Sequence, residues 1–126
     1  MSKAVFPVLV VSLLASPAVA LAAGDVKEGL RIFNKCKACH SLVAGQRRIG
    51  PTLHGMFGRQ AGTLEGFSFS SAMKNSKVVW TEQTLDAYLA DPKKFMPGSR
   101  MAFPGLPRKQ ERDDLIAYLM EATRPK

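Results

Sequence analysis

Residues 36–40 read Cys36-Lys37-Ala38-Cys39-His40, two thiols two residues apart followed at once by an imidazole. Thiols at that spacing can add across the two vinyl groups of one haem, and the next residue then falls beneath the iron. The stretch therefore reads as a covalent haem attachment site with His40 as the proximal ligand. A structural zinc site would need four N or S ligands. The chain has 2 cysteines, both inside the motif, and 2 histidines, so His54 is the one remaining candidate and cannot complete the set. A redox-active pair of cysteines expects a βαβ setting, and no strand pattern is visible along the chain.

The motif lies just after a helical pattern. Asp25 followed by Glu28 has the form of a capping box, and Val26, Gly29, Leu30 and Phe33 recur at helical spacing up to Cys36. Near the other end, Pro107 precedes a helical run with Leu115, Tyr118, Leu119 and Ala122 on one stripe, closed off by Pro125. Gly29, beside Phe33, would let another helix cross closely, and the stripe through Leu115 and Tyr118 is its natural partner. A short helix is expected from Ser70 to Lys74. Thr81 then caps a clearer one whose Leu85, Tyr88 and Leu89 share a face, ending at Asp91-Pro92.

Between His40 and Phe69 glycines punctuate the chain at 45, 50, 55, 58, 62 and 66, with Pro51 among them and no sustained period. So long a loop is unusual in a compact domain. A flat apolar macrocycle resolves the difficulty, because it supplies a surface for the loop to wrap and order against. Residues 93–105 contain Pro97, Gly98, Pro104 and Gly105 and read as too rich in helix breakers to be helical.

At the N-terminus Lys3 is followed by an apolar run from Ala4 to Ala15 and then by Ser16-Pro17-Ala18-Val19-Ala20-Leu21-Ala22-Ala23. This is the pattern of a secretory signal, cleaved just before Ala23 or Gly24. Ala4 to Ala23 is long enough to span a bilayer, but Pro7 and Pro17 interrupt it and no linker follows, which speaks against a retained anchor. The expected organisation is a cleaved signal peptide over 1–23 and one domain over 24–126, exported to the periplasm. Without Lys3 there remain 17 basic and 10 acidic side chains, a formal charge of +7. About one hundred residues bury only a thin core, so a large buried cofactor would help to stabilise the domain.

A low-spin electron carrier fills both axial positions of its iron, and a thioether opposite imidazole favours the ferrous state. Met56 and Met73 sit in ordinary core-filling contexts and Met120 in the last helical run. Met96 and Met101 both lie in the Pro/Gly loop, and spacing hardly separates them.

From Gly24 to Thr123 the chain resembles the class I c-type cytochromes, the mitochondrial cytochrome c type and its bacterial periplasmic relatives. The resemblance is carried in order by Gly24-Asp25-Val26, Cys36-Lys37-Ala38-Cys39-His40, Gly50-Pro51-Thr52-Leu53-His54-Gly55, Pro97-Gly98-Ser99-Arg100-Met101 and Asp114-Leu115-Ile116-Ala117-Tyr118-Leu119. It implies an all-α class I cytochrome c fold, with N- and C-terminal helices crossing and long irregular loops wrapped around one haem c, attached through Cys36 and Cys39. It makes Met101 the second iron ligand and Met96 a neighbour. It gives the carbonyl of Pro51 the ring proton of His40, places Tyr88 and Ser99 in hydrogen bonds around the Met101 sulfur, and makes Arg59 and Trp80 donors to a haem propionate. Two positions depart from the family pattern: Phe69 stands where a tyrosine usually donates to that propionate, and Met73 where an asparagine usually joins the network.

The function this implies is a soluble one-electron carrier, not an enzyme, between a membrane cytochrome complex and an oxidase or photosynthetic reaction centre. The rivals are a haem enzyme or gas-binding protein with an open iron position, and a dedicated haem subunit of a periplasmic dehydrogenase. The basic balance points to acidic docking surfaces on membrane redox complexes, met by a monomer through Lys35, Lys37, Arg48, Lys93, Lys94, Arg100, Arg108 and Lys109. Nucleic acid is not an expected partner of an exported protein.

Overall fold

In the computed structural model, which describes residues 1–4 and 24–126, Asp25 opens the first helix, α1 (Val26–Phe33). Its carboxylate accepts from the backbone N–H groups of Lys27 at 2.8 Å and Glu28 at 3.1 Å. The capping box expected here is therefore only half made. The backbone N–H of Asp25 donates to Asp114 Oδ1 at 2.7 Å, while the Glu28 carboxylate pairs with Arg31 at 3.3 Å. The expected signal segment falls largely on 5–23, outside the described residues.

Three short helices follow the long loop: α2 (Ser71–Asn75), α3 (Glu82–Ala90) and α4 (Pro92–Phe95). Ser70 caps α2, and Thr81 and Thr84 cap α3 reciprocally. The expectation that residues 93–105 are free of helix is corrected at their start. Pro92 sits at the first helical position, where its missing N–H costs nothing, and Asp91 Oδ1 accepts from Lys94 N at 3.2 Å, so a single turn forms. The last helix, α5 (Lys109–Ala122), packs against α3 and crosses α1. A Cβ on Gly29 would lie 2.6 Å from Tyr118 Cβ and collide with the Asp114 carbonyl, so this position must be glycine for the two helices to cross where they do.

The buried face of α1 is Gly29 and Phe33, with Ile32 beside them, whereas Leu30, expected on that stripe, is 52% exposed. α1 also stops at Phe33, and non-helical turns carry the chain on to Cys36. The core includes Phe33 from α1, Leu85 and Leu89 from α3, Leu115, Ile116 and Leu119 from α5, and Leu106 from the loop before α5. One buried cation ties these pieces together: Arg112 donates to Asp86 Oδ1 at 2.8 Å and to the carbonyls of Leu106 at 2.8 Å and Pro107 at 2.9 Å. Among the described residues the only extended pairing is an isolated bridge between Gln60 and Val79, so the fold is all-α as expected.

Candidate functional site

Turns continuing from α1 present the motif on one wall. Cys36 N donates to Phe33 O at 2.8 Å, and Cys39 N and His40 N both donate to Cys36 O, at 3.1 and 2.9 Å. Cys36, Cys39 and His40 line a mainly apolar cavity of about 670 Å³. The same cavity is lined by Pro51, Arg59, Trp80, Tyr88, Ser99 and Met101, so all nine residues singled out from the sequence converge on it.

His40 is held by the segment that follows the first glycines of the long loop. Its Nδ1–H donates to Pro51 O at 2.8 Å, and that segment is pinned by Leu53 N donating to Ser41 O at 2.9 Å. A carbonyl can only accept, so the proton sits on Nδ1 and the lone pair on Nε2. Burial pushes the His40 pKa below its ordinary value, with the Pro51 bond acting in the opposite sense, so the neutral, ligand-competent imidazole is favoured. Burial likewise raises the Cys36 thiol, opposed by the charge of Lys35.

A second polar group is built by α3 and the loop after α4. Tyr88 OH and Ser99 Oγ share a hydrogen bond of 2.9 Å, Tyr88 OH reaches Met101 Sδ at 3.9 Å, and Met101 N donates to Ser99 Oγ at 3.5 Å. Burial raises the Tyr88 pKa, so the phenol keeps its proton and remains a donor. Met96 is 4% exposed and lies in the core without lining the cavity, which separates the two methionines that spacing left equivalent. Met56 lies in the core and Met73 packs against it, as read from their contexts, and both also line the cavity.

Trp80 is buried and packs on Tyr88 with ring centroids 5.2 Å apart. Arg59 donates to His54 O at 3.2 Å, and its burial lowers its pKa. Phe69 and Met73 both face the cavity, and neither can donate a hydrogen bond. Of the eight cations read as a docking ring, Lys35, Arg48 and Arg100 line the cavity. Arg47, not singled out from the sequence, lines it as well. Arg108 is paired with Glu111 at 2.7 Å, and Lys109 with Asp113 and, at 3.5 Å, with Asp86. Lys37, Lys93 and Lys94 are exposed.

A volume inside the roughly 300–1,000 Å³ range of cofactor sites, an apolar lining, two thiols and a neutral imidazole suit a haem held by thioether bonds. Comparison with known proteins decides the matter. The family model described as "Cytochrome c" matches residues 26–123. The chain belongs to the cytochrome c family. It is 55% identical to cytochrome c of Sesamum indicum over 102 residues, covering 79% of this chain and 92% of the relative. It is 43% identical to cytochrome c2 of Blastochloris viridis over 122 residues, covering 96% and 94%. Among solved structures, cytochrome cH from Methylobacterium extorquens superposes with a TM-score of 0.74 at 43% identity, covering 78% of this chain and 99% of that one. Cytochromes c are electron carriers rather than enzymes, and they carry haem c on a cysteine pair, here Cys36 and Cys39. This cytochrome's family membership therefore supplies the cofactor and the electron-carrying role.

Proposed function

We propose that this cytochrome is a soluble periplasmic one-electron carrier in which the His40 imidazole and the Met101 thioether would hold the haem iron. It shuttles electrons between a membrane cytochrome complex and an oxidase or photosynthetic reaction centre. The observation that carries the ligand assignment is the Tyr88–Ser99–Met101 cluster in the cavity that also holds Cys36, Cys39 and His40, with Met96 sequestered in the core. The haem supplies a one-electron couple, and the chain sets its poise. Pro51 holds the ring proton of His40, and Tyr88 directs its hydroxyl at the Met101 sulfur. Arg59 and Trp80, both lining the cavity, are the proposed propionate donors, and Phe69 and Met73 leave that network with fewer donors than is usual in the family.

Export is supported by the signal-like composition of 1–23 and by the similarity to bacterial cytochromes c2 and cH. Docking by charge is supported by Lys37, Lys93 and Lys94, exposed and outside the ion pairs of the described residues, together with Lys35, Arg48 and Arg100 at the cavity. Lys35 reaches Glu111 only at 3.9 Å. Arg108 and Lys109 are the weaker members of the ring, because their charges are already offset by neighbouring carboxylates.

The test is spectroscopic. Met101→Ala is expected to abolish the weak far-red sulfur-to-iron band of the ferric protein, to lower the potential, and to let carbon monoxide bind the ferrous form promptly, since a soft ligand is lost. Met96→Ala is expected to leave the band in place. Loss of the band in Met96→Ala with its retention in Met101→Ala would overturn the assignment. Prompt carbon monoxide binding by the unmodified ferrous protein would favour an open iron position instead.

A further inference from the structure

Gly50 is the one glycine of the long loop whose missing side chain is accounted for by His40. It is buried, and its φ lies outside the left-handed region that the loop's other glycines, 45, 55, 58, 62 and 66, all occupy. Backbone conformation therefore gives no reason for glycine there. Space does: a Cβ on Gly50 would stand 2.6 Å from His40 Cε1, 2.9 Å from His40 Nδ1 and 3.1 Å from Cys39 O. The same residue's N–H donates to Cys39 O at 2.8 Å, and the next residue's carbonyl accepts from His40 Nδ1 at 2.8 Å. The pair 50–51 thus clasps the pair 39–40 twice, with the imidazole edge lying on the bare Cα.

We infer that Gly50 is a positioning residue for the axial imidazole: its lack of a side chain lets the His40 ring lie close enough to the loop to make the Nδ1–H···O bond to Pro51. The inference rests on the reading of His40 as an iron ligand and adds a residue that touches neither iron nor any proton being moved. Ordinary contact for a Cβ begins at 3.4 Å, so a methyl at position 50 must displace the ring by about 0.8 Å, measured from 2.6 Å. A 2.8 Å bond lengthened by that much leaves the range of N–H···O hydrogen bonds, which ends near 3.2 Å. The imidazole then loses the partner that raises its donor strength, and the weaker donation costs ferric iron more stabilisation than it costs ferrous. The reduction potential rises.

The experiment compares Gly50→Ala with Gly29→Ala in the holoprotein. Both add one methyl at a closed approach, but the methyl at 29 meets the α5 backbone and lies in no contact with His40. Removing an outer-shell partner typically costs about tenfold or more in metal affinity, and where that loss falls on the ferric state a tenfold change in the ferric-to-ferrous ratio is about 59 mV for one electron. Gly50→Ala is expected to raise the potential by about that amount and to move the paramagnetically shifted ring protons of His40 in the ferric spectrum. Gly29→Ala is expected to lower the melting temperature and leave both readouts at wild type. An unchanged potential and ring pattern in Gly50→Ala, or an equal change in Gly29→Ala, would overturn the inference.

Should Gly50→Ala not accumulate as holoprotein, the unmodified protein decides. Close approach of the bare Cα predicts strong cross-relaxation between the Gly50 Hα protons and His40 Hε1 together with slow exchange of the Nδ1 proton. Absence of the cross-relaxation refutes the inference. Ring protons of His40 without any paramagnetic shift would show a different failure, that of the ligand assignment itself.

Discussion

Replacing Gly29 by Ala sets helix propensity against tertiary packing, and the geometry says which wins. In an isolated helix the change would stabilise by about 1 kcal/mol, since glycine carries the larger entropic cost. Here the new Cβ would lie 2.6 Å from Tyr118 Cβ and 2.8 Å from the Asp114 carbonyl carbon, against an ordinary contact distance of at least 3.4 Å. Two of the three obstructing atoms are backbone of α5, so no rotamer change relieves the collision and the helices must separate. Separation loosens the Phe33–Tyr118 ring contact, now 5.4 Å between centroids, and the bond from Asp25 N to Asp114 Oδ1. Overpacking of this kind costs about 1–3 kcal/mol and occasionally more. With unyielding backbone the upper end applies, and after the propensity gain the net loss is about 2 kcal/mol. For a domain of this size that lowers the melting temperature by about 8–16 °C. Thermal unfolding of the holoprotein followed by far-UV circular dichroism reads it directly. A melting temperature equal to or above wild type would show that α1 and α5 do not cross at Gly29.

Lys77 has φ 60°, a left-handed conformation that costs a side chain about 1 kcal/mol, so Lys77→Gly should raise stability by about 0.5 kcal/mol once the freer unfolded chain is counted; a lower denaturation midpoint would refute this. His54 is the one imidazole outside the attachment motif, and on unfolding at neutral pH it should bind the ferric iron in place of Met101, the ligand proposed above, and create a slow refolding phase. His54→Gln should remove that phase, and its persistence would point to another ligand. Electron transfer to an acidic partner should slow steeply with added salt, as screening shortens the reach of exposed charges. Lys93→Glu should slow it more than Lys109→Glu, because Lys109 is already neutralised by Asp113 and Asp86. Equal effects would mean that net charge alone attracts the partner.

Features whose physics is local could be read directly from the sequence. Two thiols and an imidazole within five residues carry their own chemistry, Asp25 and Thr81 cap the helices they precede, and Pro107 heralds α5. The glycine at 29 already implied a close crossing, because a missing side chain on the apolar stripe of a helix has few other uses. Where a group's partner lies far along the chain, the local pattern misled. Glu28 fits a capping box, yet the N–H it would have bound is taken by Asp114, 89 residues away. Leu30 fits the apolar stripe of α1, but the axis of α5 passes over Gly29 and Phe33 and leaves it in solvent. Arg108 and Lys109 read as free cations although helical offsets of three and four residues already set Glu111 and Asp113 beside them; only the second partner of Lys109, Asp86 on α3, needed the tertiary fold. The two loop methionines differ for the same reason. Spacing makes Met96 and Met101 alike, and only the approach of Tyr88 and Ser99, brought in by α3 and the loop after α4, gives the Met101 sulfur a hydroxyl while the turn of α4 buries Met96 in the core. Covalent attachment needs only neighbours in sequence, whereas the poise of the site depends on which distant groups surround it, and that is settled by packing.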